Sequence, residues 1–103
     1  MYYDLGSRRL EIQILYELKE NDLLDARLEA FKNYLFQRSK AAENPLPTYY
    51  ADMYNNFVNL VKRLQNSAPD HVRKLQKNLD LLQTDYPYAE RDWLTKKIQA
   101  RLK

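Results

Sequence analysis

From Leu5 to Leu18 the apolar positions Leu5, Ile12, Leu15, Tyr16 and Leu18 recur at three-to-four spacing, with Arg8, Arg9, Glu11, Glu17 and Lys19 between them. That is the period of an amphipathic helix, expected over about 4–19. A second stripe is clearer: Leu24, Leu28, Phe31 and Leu35 step by 4, 3 and 4, and Leu23, Ala30 and Tyr34 widen it. This places a helix over about 22–38, with Asn21 and Asp22 able to cap its first orphan amides. The stretch "KAAENPLPTYY" then interrupts the pattern. Pro45 and Pro47 disfavour the right-handed helical conformation at Asn44 and Leu46, so no helix passes through.

Beyond the break, Thr48 can cap a third helix, about 48–65, whose broad apolar face is Tyr50, Met53, Tyr54, Phe57, Leu60, Val61 and Leu64. "NSAPD" signals a fourth start, with Ser67 as cap, Pro69 where a missing amide costs nothing, and Asp70 completing a capping-box-like pair. Its stripe is Val72, Leu75, Leu79 and Leu82, over about 68–83. "QTDYPYAERDW" repeats the device, with Thr84 or Asp85 capping and Pro87 near the first turn. A fifth helix is expected over about 86–101, carrying Tyr86, Ala89, Trp93, Leu94, Ile98 and Leu102. Short links make consecutive helices antiparallel, so the pattern describes an all-α fold of about five helices in hairpins, with 40–50 as the elbow between the first pair and the second.

The 103 residues fall in the one-domain range, and the single glycine, Gly6, argues against a fold built on tight β-hairpins. No apolar run reaches the roughly 18–20 residues of a membrane span, and no signal order appears at the N-terminus. The absence of cysteine removes disulfides, thiolate metal sites and cysteine nucleophiles, and fits a reducing, cytoplasmic setting.

Catalytic chemistry finds little footing. His71 is the only histidine, has no second His or Cys to complete a zinc site, and is expected on a solvent-facing first turn. Ser7, Ser39 and Ser67 show no spacing that would build a nucleophilic triad around it. One glycine cannot form a phosphate loop, so no nucleotide cofactor is expected. The carboxylate pairs Glu17 and Glu20, Asp22 and Asp25, and Glu90 and Asp92 look like surface charge rather than an acid and a base. No catalytic, cofactor or metal residue is therefore assigned.

Two binding surfaces remain. Tyr2, Tyr3, Tyr49, Tyr50, Tyr54, Tyr86 and Tyr88 gather at helix starts, and a tyrosine offers rigid area with a polar tip. A groove at the starts of helices three and five, with Tyr49, Tyr50, Tyr54, Tyr86 and Trp93, suits a protein or peptide. The competing reading, which weighs more, packs the rings between helices with their hydroxyls on water or a neighbouring carbonyl, and makes Trp93 a core anchor. The alternative surface is basic. Residues 1–61 carry 7 basic and 9 acidic side chains, whereas 62–103 carry 10 and 5. Arg73, Lys74, Lys77, Lys96, Lys97 and Arg101 could follow a phosphate backbone, although Lys96, Lys97 and Arg101 also suit the negative end of a helix dipole.

The stretch "ILYELKENDLLDARLEAFKNYLFQRSK", with Tyr16, Glu17 and Leu18 before Phe31, Tyr34, Leu35 and Arg38, resembles tetratricopeptide-like regions at the ends of bacterial helical-repeat proteins. "YNNFVNLVKRL" and the closing "AERDWLTKKI" are similar to the same regions. The chain departs from the repeat pattern at Lys19, where a turn glycine is usual, and at Pro87, which closes no repeat. The resemblance implies a non-catalytic protein-binding or scaffold role, and a chain that can be the terminal part of a longer array. Tyr2, Tyr3 and Leu5 would then form an open stacking face able to self-associate.

Overall fold

The computed structural model describes residues 4–65 and 69–103. Five helices follow in order: α1 (Leu5–Glu17), α2 (Asn21–Ser39), α3 (Thr48–Gln65), α4 (Pro69–Leu82) and α5 (Arg91–Leu102). Among the described residues there is no strand, and the fold is all-α. Contacts divide the chain into two compact units, Met1–Thr48 and Tyr49–Lys103.

In the first unit α1 and α2 form an antiparallel hairpin. Leu24, Leu28, Phe31 and Leu35 of α2 are buried, as are Ile12 and Leu15 of α1. Tyr34 closes the open end: its hydroxyl accepts from the Asp4 amide at 3.0 Å, and Arg8 stacks 4.0 Å over its ring. Midway along, the Arg27 Nε donates to Glu11 at 2.9 Å. At the closed end the last turn of α1 is locked by the Lys19 amide on the Tyr16 carbonyl and the Glu20 amide on the Leu15 carbonyl, both at 3.1 Å. This is the paired-bond termination that needs a left-handed residue, and Lys19 supplies it at φ 59°. Glu20 occupies the N-cap of α2 with no side-chain cap bond. The expected caps Asn21 and Asp22 fall inside the first turn instead, because the tight termination of α1 leaves no room for a further loop residue.

The proline segment after α2 folds back on that helix. The Leu46 amide donates to the Arg38 carbonyl at 3.0 Å, the Leu46 side chain is buried, and Asn44 turns at φ 47°.

The second unit contains α3, α4 and α5. Phe57, Val58, Leu60, Val61 and Leu64 bury one face of α3, Leu75 and Leu82 that of α4, and Leu94 and Ile98 that of α5. Pro69 is the first residue of α4, where its missing amide costs nothing. The expected cap at Ser67, like Tyr2 and Tyr3, lies outside the described residues. Helices α4 and α5 pack as a hairpin. The Ala89 amide bonds the Met53 carbonyl and Phe57 meets Trp93, so the loop before α5 and the first turn of α5 sit against α3.

One boundary differs clearly from the sequence pattern. Helix α5 begins at Arg91, not near Tyr86. Residues 86–90 are held out of helix by bonds to other parts of the unit: Asn56 Nδ2 donates to the Pro87 carbonyl at 2.8 Å, and the Ala89 amide donates to the Met53 carbonyl at 3.1 Å. Glu90 then reverses the chain at φ 55°. A right-handed helix cannot start until that residue is passed.

Candidate interaction site

In the second unit the first half of α3 is bonded to the loop 83–90, through the Met53 carbonyl and the Asn56 side-chain amide. Thr84 builds the first turn of that loop, its hydroxyl donating to the Leu81 carbonyl at 2.7 Å and accepting from the Tyr86 amide at 3.1 Å. Thr84 thus ends α4 rather than capping α5. Arg91 closes the loop, with Nη1 donating to the Leu82 carbonyl at 2.6 Å and Nη2 to the Tyr86 carbonyl at 2.5 Å. Two carbonyls left by the end of α4 and the turn are satisfied by one guanidinium.

Under the loop lies a buried polar chain. Arg63 Nη1 donates to Asn78 Oδ1 at 2.6 Å, and Asn78 Nδ2 donates to the Tyr88 hydroxyl oxygen at 3.1 Å. Both Asn78 and Tyr88 are buried. Burial raises the Tyr88 hydroxyl above its ordinary pKa of 10.0, and the neighbouring Tyr86 adds to this; the Asn78 hydrogen bond and the Arg63 and Arg91 cations oppose it. A buried asparagine on an apolar stripe is stable only with its partners satisfied, so this chain fixes how the loop seats on α3 and α4.

Exposed rings lie in the first turn of α3 and in the loop. Tyr49 and Tyr50 are 61% and 48% exposed and meet edge to face, ring centres 5.8 Å apart. Tyr86 is also exposed and leans on buried Tyr88, centres 5.6 Å apart. Tyr54 is half-buried. Trp93 is half-buried against Phe57 at 6.2 Å, with the Lys97 ammonium 5.6 Å above its ring, so it serves the core more than the surface. Of the five aromatic candidates, Tyr49, Tyr50 and Tyr86 present open rings. Tyr88, grouped by the sequence with the other tyrosines at helix starts, is instead buried; its partner Asn78, polar on an otherwise apolar face of α4, is the signal that could have set it apart.

The basic candidates are distributed differently. Arg73, Lys74 and Lys77 line an open surface pocket with Asp70, and Arg73 is paired with Asp70. Lys96 is exposed, while Lys97 and Arg101 are half-buried. His71 is half-buried rather than solvent-facing, with its Nδ1 enclosed and lacking a hydrogen-bond partner. It stands four residues before buried Leu75, on the same helical face.

The carboxylates of the three acidic pairs are exposed except for half-buried Glu90. Among the described residues no three His, Asp or Glu side chains converge as a metal site, and no helix is long and apolar enough to cross a membrane. In comparisons with known proteins, the chain matches no family model, no curated protein and no solved structure.

Proposed function

We propose that the protein is a non-catalytic interaction or scaffold module, working in a cytoplasmic setting, that holds a protein or peptide partner on the tyrosine-bearing edge of residues 49–103. The observation that carries this reading is the exposure of Tyr49, Tyr50 and Tyr86 on a backbone that is itself bonded in place. An exposed ring on a fixed backbone loses little entropy on binding, and its hydroxyl remains able to reach a polar group of the partner. The cluster has the residue type that carries much of the energy of protein interfaces. The tetratricopeptide-like resemblance of the packing residues favours the same role.

The test is a comparison of the full chain with a Tyr49→Ser/Tyr50→Ser variant, by quantitative photo-crosslinking in extract from cells that express it. Loss of a specific crosslinked partner at unchanged helicity supports the reading; identical crosslinking overturns it.

A second reading is favoured by one observation, the pocket of Asp70, Arg73, Lys74 and Lys77: a basic module binding nucleic acid through its C-terminal half. Fluorescence anisotropy with a single-stranded oligonucleotide separates the two. Phosphate contacts make affinity fall steeply as salt rises from 50 to 200 mM, whereas the tyrosine surface gives no such binding.

A further inference from the structure

Helix α1 is apolar on two sides. Ile12 and Leu15 are buried against α2, but Leu10, Ile14 and Leu18 form a second stripe on a flank of α1, at 50%, 49% and 64% exposure. A second apolar stripe on a helix is normally covered by a further element. Beside this stripe runs an open groove between α1 and α2, walled by Ser7, Ile14 and Ala30 and crossed by the Glu11–Arg27 ion pair. Small residues at Ser7 and Ala30 allow another helix to approach closely.

The two units differ in this respect. Among the described residues, the exposed large hydrophobic side chains of 49–103 are the tyrosines Tyr49, Tyr50 and Tyr86; in 1–48 they are Leu10, Ile14, Leu18, Leu23 and Phe36, which have no polar tip. The second unit closes its core with three helices, whereas the first has two.

We propose that residues 1–48 pair with a second copy of the same chain, α1 against α1 in antiparallel sense, so that two hairpins complete one four-helix bundle. Three features select a second copy. The stripe is its own complement: Leu10 and Leu18 stand four residues either side of Ile14, so a two-fold axis at Ile14 sets Ile14 against its equivalent and Leu10 against the second copy's Leu18. Charge permits the approach, since 1–48 carries 7 basic and 8 acidic side chains, whereas 49–103 carries 10 and 6 and would repel its like. Arg27, beside Glu11, also offsets the carboxylate that this pairing brings towards the second copy's Glu17.

Area is adequate for a modest dimer. The 13 residues of α1 span about 20 Å, and two helices side by side make a face of roughly 20 by 20 Å. With its side-chain relief such a face buries on the order of 600–800 Å² per partner, near the lower edge of a specific interface. The inference is independent of the tyrosine surface of 49–103.

The experiment is sedimentation equilibrium of the full chain across a hundredfold concentration range, with two kinds of variant. The wild type should rise from the 12.4 kDa chain mass towards twice that value. Ile14→Glu should stay at the monomer mass with unchanged helicity, since Ile14 is half in water already. Because the chain has no cysteine, Ile14→Cys should form a disulfide-linked dimer under mild oxidation. Asp25→Cys, on the side of α2 away from Arg27 and Ala30, should not. A wild type that remains monomeric throughout, a dimer indifferent to Ile14→Glu, or equal crosslinking by both cysteine variants would overturn the proposal.

Discussion

At the scale of single residues, the positions that matter most are those where a side chain tolerates a conformation or an environment it would not choose. Lys19 holds a left-handed φ of 59° so that two amides can reach the carbonyls closing α1. A side chain there costs free energy that glycine avoids, so Lys19→Gly should stabilise the protein by roughly 0.5 kcal/mol or more, a rise of a few degrees in Tm. A thermal melt followed by circular dichroism checks it. The tight ending of α1 was not legible in the sequence because the residue that performs it is not the usual one. Tyr88 presents the opposite case, a favourable environment with a pH limit. Tyr88→Phe keeps the ring but leaves the Asn78 amide without its acceptor, an expected loss of about 1–2 kcal/mol at neutral pH. The folded-state pKa of Tyr88 lies above its unfolded value, so its contribution is complete below about pH 10 and is lost as pH rises from there towards the folded pKa. Urea melts at pH 8 and above pH 10 should therefore show a smaller alkaline loss for Tyr88→Phe than for the wild type.

At the scale of elements, all five helices were legible, because each buries a stripe whose steps of three and four are written in the chain. The boundaries of α2, α3 and α4 fall within a residue or two of the pattern, but α5 does not. Pro87 after a Thr-Asp pair carries the signature of a helix start, yet the backbone groups of the segment are claimed by Asn56 and Met53, from a distant part of the sequence, and by Arg91 at its own end. Local pattern cannot register such long-range bonds. Arg91→Ala should release the Leu82 and Tyr86 carbonyls, cost about 2 kcal/mol, and speed hydrogen exchange at the Tyr86 and Ala89 amides well before the α3 core. Uniform acceleration over the whole unit would mean that the loop and the helices open together. Helix α1 shows a different limit. Leu18 fits the expected inward stripe by spacing but is exposed, and Leu23 likewise, because a helix with apolar residues on two sides offers the period more than one solution.

At the scale of the whole molecule, the two compact units expose different kinds of apolar surface, tyrosine in one and aliphatic in the other. That distinction was only partly legible: the clustering of tyrosines at helix starts marked Tyr49, Tyr50 and Tyr86, but spacing alone could not separate them from Tyr88 and Trp93, which turn inward. The central claim is that the open rings serve a partner rather than the fold. Its most direct test joins two readings on the Tyr49→Ser/Tyr50→Ser variant, the thermal midpoint and the yield of the specific photo-crosslinked partner. The account expects a midpoint within about 2 °C of wild type, as for surface substitutions, together with at least a tenfold loss of the crosslinked product. A variant that melts far earlier, or one that retains the partner in full, would contradict it.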